Sequence, residues 1–218
     1  MTAHQHTHDH QVPHDAHGSH DGLTAMAVSA TLHCLTGCAI GEVLGMLIGT
    51  AAGLATGWTI ALSVSLAFLL GYALSTLPLL RAGLAVPTAL GVVLAADTLS
   101  ILTMEVVDNA VMALVPGAMD AGLVNPTFWW AMALALAVAF VAAVPVNRLL
   151  LQRGRGHALT HAHPGTAAPE GWRRRVPDLS TPALVAAVAA FLLGGLVVSA
   201  AAEDDAAAGG HAAAVTNR

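Results

Sequence analysis

A histidine, two cysteines and a glutamate lie close together inside an apolar stretch of this sequence. His33, Cys34, Cys38 and Glu42 fall within residues 23–55, a run long enough to cross a bilayer as a helix. At about 100° per residue, Cys34, Cys38 and Glu42 form a line along that helix, one turn apart. Ionisable groups inside a membrane segment are costly and usually mark a functional site. These four residues are therefore the predicted metal site.

The types of ligand in this group favour a soft transition-metal ion. Thiolate ligands suit Cu(I), and thiolate with imidazole suits Zn(II) and copper, so we expect Cu(I), with Zn(II) as the alternative. Two other interpretations stay open. Cys34 and Cys38 also suit a membrane thiol oxidoreductase with His33 as the base, and small cysteines also simply pack between helices in a scaffold subunit. The pattern favours metal binding or transport over an enzyme.

A second apolar segment, residues 84–115, carries acids on one helical face. Its predicted polar cavity consists of Asp97, Met104, Glu105, Asp108 and Asn109. Three carboxylates in hydrocarbon must be protonated, paired with a cation or in contact with water. We expect this face to look at Cys34, Cys38 and Glu42 within one shared cavity between helices 1 and 3, with Glu42 and Asp97 at similar depth.

Glycine recurs at every fourth position on the first helix, as Gly37, Gly41 and Gly45. Small residues at this spacing let another helix approach closely, so the seam predicts tight helix packing and also permits self-association of the protein. Bulkier residues fall on the other side and are expected to face lipid: Leu35, Ala39, Ile40, Val43 and Leu47.

Composition and hydropathy predict an all-α membrane protein. Of 218 residues, 56% are hydrophobic and 10% are charged, and several apolar runs are near 20 residues long. We expect about five transmembrane helices, a four-helix core at 23–157 and an appended C-terminal helix at 181–202. A histidine-rich disordered tail at 1–22, a basic linker at 158–180 and a flexible tail at 203–218 complete the division. The lipid bilayer is the expected environment.

Twelve histidines are the anomaly of the composition, and seven lie in the first twenty residues. Neutral imidazoles bind zinc and copper, so this tail is an auxiliary metal-binding candidate. Its residues are His4, His6, His8, His10, His14, His17 and His20. Eight arginines without lysine give no nucleic-acid footprint, and the sequence shows no nucleotide or haem signal.

Arginines cluster between helices 4 and 5 and occur at Arg81 between helices 2 and 3. By the positive-inside rule both connections are cytoplasmic. The predicted topology has a cytoplasmic N-terminus and an external C-terminus.

Three sequence blocks resemble a family of bacterial polytopic membrane proteins catalogued as a domain of unknown function. They are the HCLTGCAIGE block from His33 to Glu42, a second block of residues 96–100 and 104–109 that ends in MEVVDN, and the stretch from Pro145 to His157. The resemblance covers residues 30–157 and implies a helical module of the bacterial inner membrane, with no established activity. Relatives resemble parts of larger proteins with copper-associated domains, which adds to the expectation of copper.

Overall fold

The computed structural model describes the backbone of residues 16–153 and 171–216, and the side chains of residues 22–153 and 171–204. The helices of this part are α1 (Ala16–Ala51), α2 (Thr56–Arg81), α3 (Val86–Leu114), α4 (Pro126–Gln152) and α5 (Thr181–Thr216), with a short 3-10 helix at Gly171–Arg175. Within the described residues, five helices are long and apolar enough to cross a membrane. The predicted all-α, multi-pass membrane protein is confirmed.

Local sequence explains where the helices begin and end. Gly53 has φ of +64°, and Leu54 N–H donates to Gly49 O at 2.9 Å, so α1 ends four residues before its predicted limit. Asn125 begins α4, because its Oδ1 accepts a 2.8 Å hydrogen bond from Thr127 N–H, and Pro126 occupies the first helical position. At the other end of α1 the helix begins at Ala16, inside the segment predicted as a disordered tail.

The glycine seam of α1 packs against α2 of the same chain. A Cβ atom on Gly37 would come within 2.5 Å of Leu70 O, and one on Gly41 within 2.5 Å of Ala67 Cα, so the two backbones are in close contact. The seam is therefore filled by a neighbour in the bundle and does not supply a surface for self-association. α5 also packs through a glycine, because Gly195 lies against the ring of Trp129 on α4.

The predicted lipid face of α1 is correct in part. Ile40 and Leu47 are exposed to the surroundings of the bundle. Leu35 and Ala39, also expected in lipid, are buried in the core. The reason is that α1 is covered by α2 on one side and by α4 on another, so a single helical wheel underestimates how much of it is enclosed.

α5 lies at the edge of the bundle. Only 11% of its apolar segment is buried, as expected for an appended helix.

The two ends of the bundle differ in chemistry. At one end the α2–α3 turn meets the segment before α5: Arg81 donates to Val176 O at 2.8 Å and pairs with Asp178 at 3.2 Å. Arg173 donates to Gly83 O at 3.1 Å. The other end is formed by the α1–α2 turn and the α3–α4 connection. The structure thus places Arg81 and the arginines before α5 on one side, as the topology prediction requires.

Candidate functional site

A cavity of about 410 Å³ opens at the end of the bundle opposite the arginines. It lies between the last turns of α1 and α3, the first turns of α2 and the α3–α4 connection. Four methionines line it, and we call it the methionine cavity: Met46, Met112, Met119 and Met132. Glu42 and Asp108 line the same cavity. Methionine and acidic side chains therefore line one cavity.

The acids of α1 and α3 meet beside this cavity. Glu42 interacts electrostatically with Asp108 and Glu105, although the three lie on two different helices. Each is more than nine-tenths buried. One oxygen of Glu42, one of Asp108 and both of Glu105 have no hydrogen-bond partner among the described residues. Buried acids this close together must be protonated, paired with a cation or in contact with water.

The two cysteines lie deeper in the bundle than the cavity. Both thiols are free and at most 2% exposed. Cys38 Sγ is 3.7 Å from Ala67 O on α2, its hydrogen-bond acceptor, and Cys38 also interacts electrostatically with Glu105 and Glu42. Cys38 and Glu42 on α1 thus interact with acids on α3, but of the residues predicted to share one cavity only Glu42, Asp108 and Asn109 line the methionine cavity.

The structure does not bring all four predicted metal ligands together. His33 lines a separate cavity of about 280 Å³ at the arginine end, together with Arg81 and Asp178, and we call this the arginine cavity. Its Nδ1 is 2.8 Å from Ser29 O one turn back on the same helix. His33 and Cys34 are about 100° apart around the helix axis. His33 therefore lines the arginine cavity, whereas Cys34 packs in the core.

Asp97 also lies apart from the other acids. Its carboxyl interacts with Ser75 of α2, whereas Glu42 interacts with Asp108 and Glu105. Asp97 and Asp108 are separated by 11 positions, about 16 Å along the axis of α3. The expectation that Glu42 and Asp97 share one depth is therefore wrong. α1 and α3 both run towards the methionine cavity, and Glu42 is level with the last turns of α3.

The remaining predicted cavity residues have supporting positions. Met104 is 2% exposed and packs in the core with Cys34 and Cys38. Asn109 lines the methionine cavity, and its side chain donates to Glu105 O at 2.9 Å.

Within the side chains that the structure describes, no three histidine, cysteine or acidic residues converge on a position that could hold a metal ion. The predicted Cys/His/carboxylate group is thus incomplete as a ligand set. The four methionines that line the cavity are not among the four residues of the predicted metal site. A signal was present: Met46 follows Glu42 by four positions, and Met112 follows Asp108 by four, so each shares a helix face with an acid.

The histidine tail cannot be compared with this site. His4, His6, His8, His10 and His14 lie outside the described residues, and the side chains of His17 and His20 do as well. Its auxiliary metal binding stays a prediction.

Comparison with known proteins gives one family. Residues 24–156 match the family model described as Domain of unknown function (DUF4396), which spans α1 to α4 and both sides of the methionine cavity. No curated protein and no solved structure matches the chain.

Proposed function

The chain belongs to the DUF4396 family, and we propose from its methionine cavity that it binds a soft monovalent metal ion, Cu(I), within the membrane. The observation that carries the proposal is the joint lining of one cavity by four thioethers and by two buried acids with unpartnered oxygens. α5 lies outside the matched residues. The proposed site belongs to the module formed by α1 to α4.

Thioether sulfur decides the choice of metal. Soft thioether and thiolate ligands select Cu(I), whereas Mg²⁺ and Ca²⁺ prefer a shell of oxygen ligands. Met46 and Met112 follow the two acids on their helices, which places sulfur and oxygen donors on the same faces. Zn(II) is the second candidate metal, because carboxylates and thiolates bind it as well.

The acids beside the methionine cavity supply the negative charge of the proposed site. Glu42, Glu105 and Asp108 interact with one another inside an apolar bundle, and a cation beside them relieves this repulsion. Cys38 extends the group inwards, since it interacts with Glu105. An ion that enters the cavity thus meets carboxylates first and thiols deeper in the core.

The side of entry follows from the arginines. Arg81 and Arg173 lie at the end opposite the methionine cavity, and the positive-inside rule assigns that end to the cytoplasm of a bacterial inner membrane. The N-terminus is then cytoplasmic, the C-terminus is external, and the methionine cavity opens away from the cytoplasm.

The test is Cu(I) affinity measured by competition with a Cu(I) chelator on detergent-purified protein. The double variant Met46→Leu and Met112→Leu removes two sulfurs at nearly constant volume, a change that cores tolerate well. We expect its Cu(I) affinity to fall at least tenfold, which corresponds to about 1.4 kcal/mol. Met26→Leu is the matched control, because Met26 lies on α1 about 30 Å from Met46 along the helix axis.

The measurement is made on the full chain and on a chain lacking residues 1–15, which removes five of the tail histidines without shortening α1. Equal Cu(I) affinity in the double variant and the control contradicts the proposal. Loss of all binding on removal of the tail moves the site to the histidines. Thiol-dependent redox cycling that requires Cys34 and Cys38, with no metal bound, would instead indicate the oxidoreductase.

A further inference from the structure

A second polar site lies between α2 and α3, away from the methionine cavity. Asp97 is 5% exposed, and Ser75 and Ser100 are fully buried. Ser75 on α2 interacts with the Asp97 carboxyl, and Ser100 follows Asp97 by three positions, which puts it on the same face of α3. One Asp97 oxygen, Oδ2, and the hydroxyls of both serines have no hydrogen-bond partner among the described residues.

A proton on Asp97 removes the charge of a buried carboxyl that has no charged partner among the described residues. An ionised carboxylate offers only acceptors, and burying it without a partner in an apolar bundle is very costly. A protonated carboxyl becomes a donor, and two hydroxyls that can each donate and accept complete the group.

Among the described residues, no counter-charge interacts with Asp97. The other titratable side chains described on the four packed helices are His33, Cys34, Cys38 and Glu42 on α1, Tyr72 and Arg81 on α2, Glu105 and Asp108 on α3, and Arg148 on α4. The Tyr72 hydroxyl shares a 2.8 Å hydrogen bond with Thr98, and Arg81 pairs with Asp178. Within the described residues, Asp97 is paired with none of these groups.

The arginine cavity approaches this site along α2. It is lined on α2 by Leu77 and Pro78, two and three positions beyond Ser75. Pro78 has no N–H to donate to the carbonyl of Leu74, so the helix has a polar interruption beside Ser75. The edge of this cavity at Leu77 and Pro78 therefore lies within about one helical turn of Ser75 along α2.

We propose that Asp97, with Ser75 and Ser100, is a proton-binding site that releases its proton to water on the arginine side of the protein. Deprotonation leaves the Asp97 carboxylate, and the proton passes to water in the arginine cavity. The site is independent of the proposed Cu(I) function, because it shares no residue with the methionine cavity.

The test is infrared spectroscopy of the full chain in lipid as the pH is varied. A protonated carboxyl gives a C=O stretching band that is absent from the carboxylate. We expect one such band to disappear reversibly as the pH rises. Asp97→Asn, which keeps the shape and cannot ionise, removes that band at every pH.

Serine variants check the hydrogen bonding of the same group. Ser100→Ala and Ser75→Ala should move the Asp97 band without removing it, since each deletes one hydroxyl beside the carboxyl. Ser65→Ala is the control: Ser65 is exposed on α2 and donates to Ala61 O at 2.7 Å, so the band should not move. Two results overturn the proposal. One is a spectrum of Asp97→Asn identical to that of the parent. The other is an Asp97 band that persists at every pH at which the protein stays folded.

Discussion

Replacing Gly41 by alanine adds one methyl group at the closest contact between α1 and α2. The new Cβ would come within 2.5 Å of Ala67 Cα, whereas ordinary contacts of a Cβ atom begin near 3.4 Å. The two helices must therefore move apart by about 1 Å, and both partners are backbone, so no side chain can rotate away.

The cost follows from the packing that this shift removes. Overpacking of a well-packed core costs about 1–3 kcal/mol, and helices in lipid depend on close van der Waals contact because no hydrophobic force drives them together. We expect Gly41→Ala to lower the free energy of unfolding by about 1–3 kcal/mol. The measurement is reversible unfolding in mixed micelles of mild detergent and sodium dodecyl sulfate, followed by circular dichroism.

Gly91→Ala on α3 is the matched control. Gly91 is an exposed helical glycine with nothing within 4 Å of its added Cβ, so the substitution should leave stability unchanged or raise it by up to about 1 kcal/mol through helix propensity. Equal unfolding of the two variants would refute the close α1–α2 contact. The glycine seam would then serve another neighbour.

Three further predictions test other parts of the bundle. In a background of Cys34→Ala and Cys38→Ala, Glu42→Cys with Asp108→Cys should give a disulfide crosslink on electrophoresis, while Glu42→Cys with Asp97→Cys should not, because Glu42 interacts with Asp108 and not with Asp97. Thr31→Val should lower the free energy of unfolding by about 0.6–2 kcal/mol, since Asn147 Nδ2 loses its 2.7 Å acceptor. Thr36→Val is the control, because the Thr36 hydroxyl donates to Leu32 O on its own helix. Gly195→Ala should destabilise the contact of α5 with Trp129 by about 1–3 kcal/mol in the same unfolding assay, while Gly194→Ala, with open space at its Cβ, should not.

The helices were predictable because their causes are local. Apolar length marks each span, and Gly53, Pro126 and the Asn125 cap end or begin helices through their own backbone and side-chain chemistry. The two arginine sites could also be assigned to one side, since loop charge is a property of the sequence alone.

Part of the site was predictable for a similar reason. Helical periodicity gives the direction in which each side chain points around its axis, so Cys38, Glu42, Glu105 and Asp108 could be assigned to two inward faces. Those four groups interact in the structure.

Only the tertiary structure decides the depth at which each polar side chain lies and the residue with which it interacts. Periodicity does not say how far one helix slides along another, and this slide sets Glu42 against Asp108 and leaves Asp97 with Ser75. Periodicity also does not predict which helix packs on the glycine seam of α1. The α1–α2 turn folds α2 onto these glycines, which would otherwise be open to a second copy of the protein. The methionine cavity also depends on the tertiary structure, because its four methionines come from α1, α3, the α3–α4 connection and α4 and line one cavity only once the helices are packed.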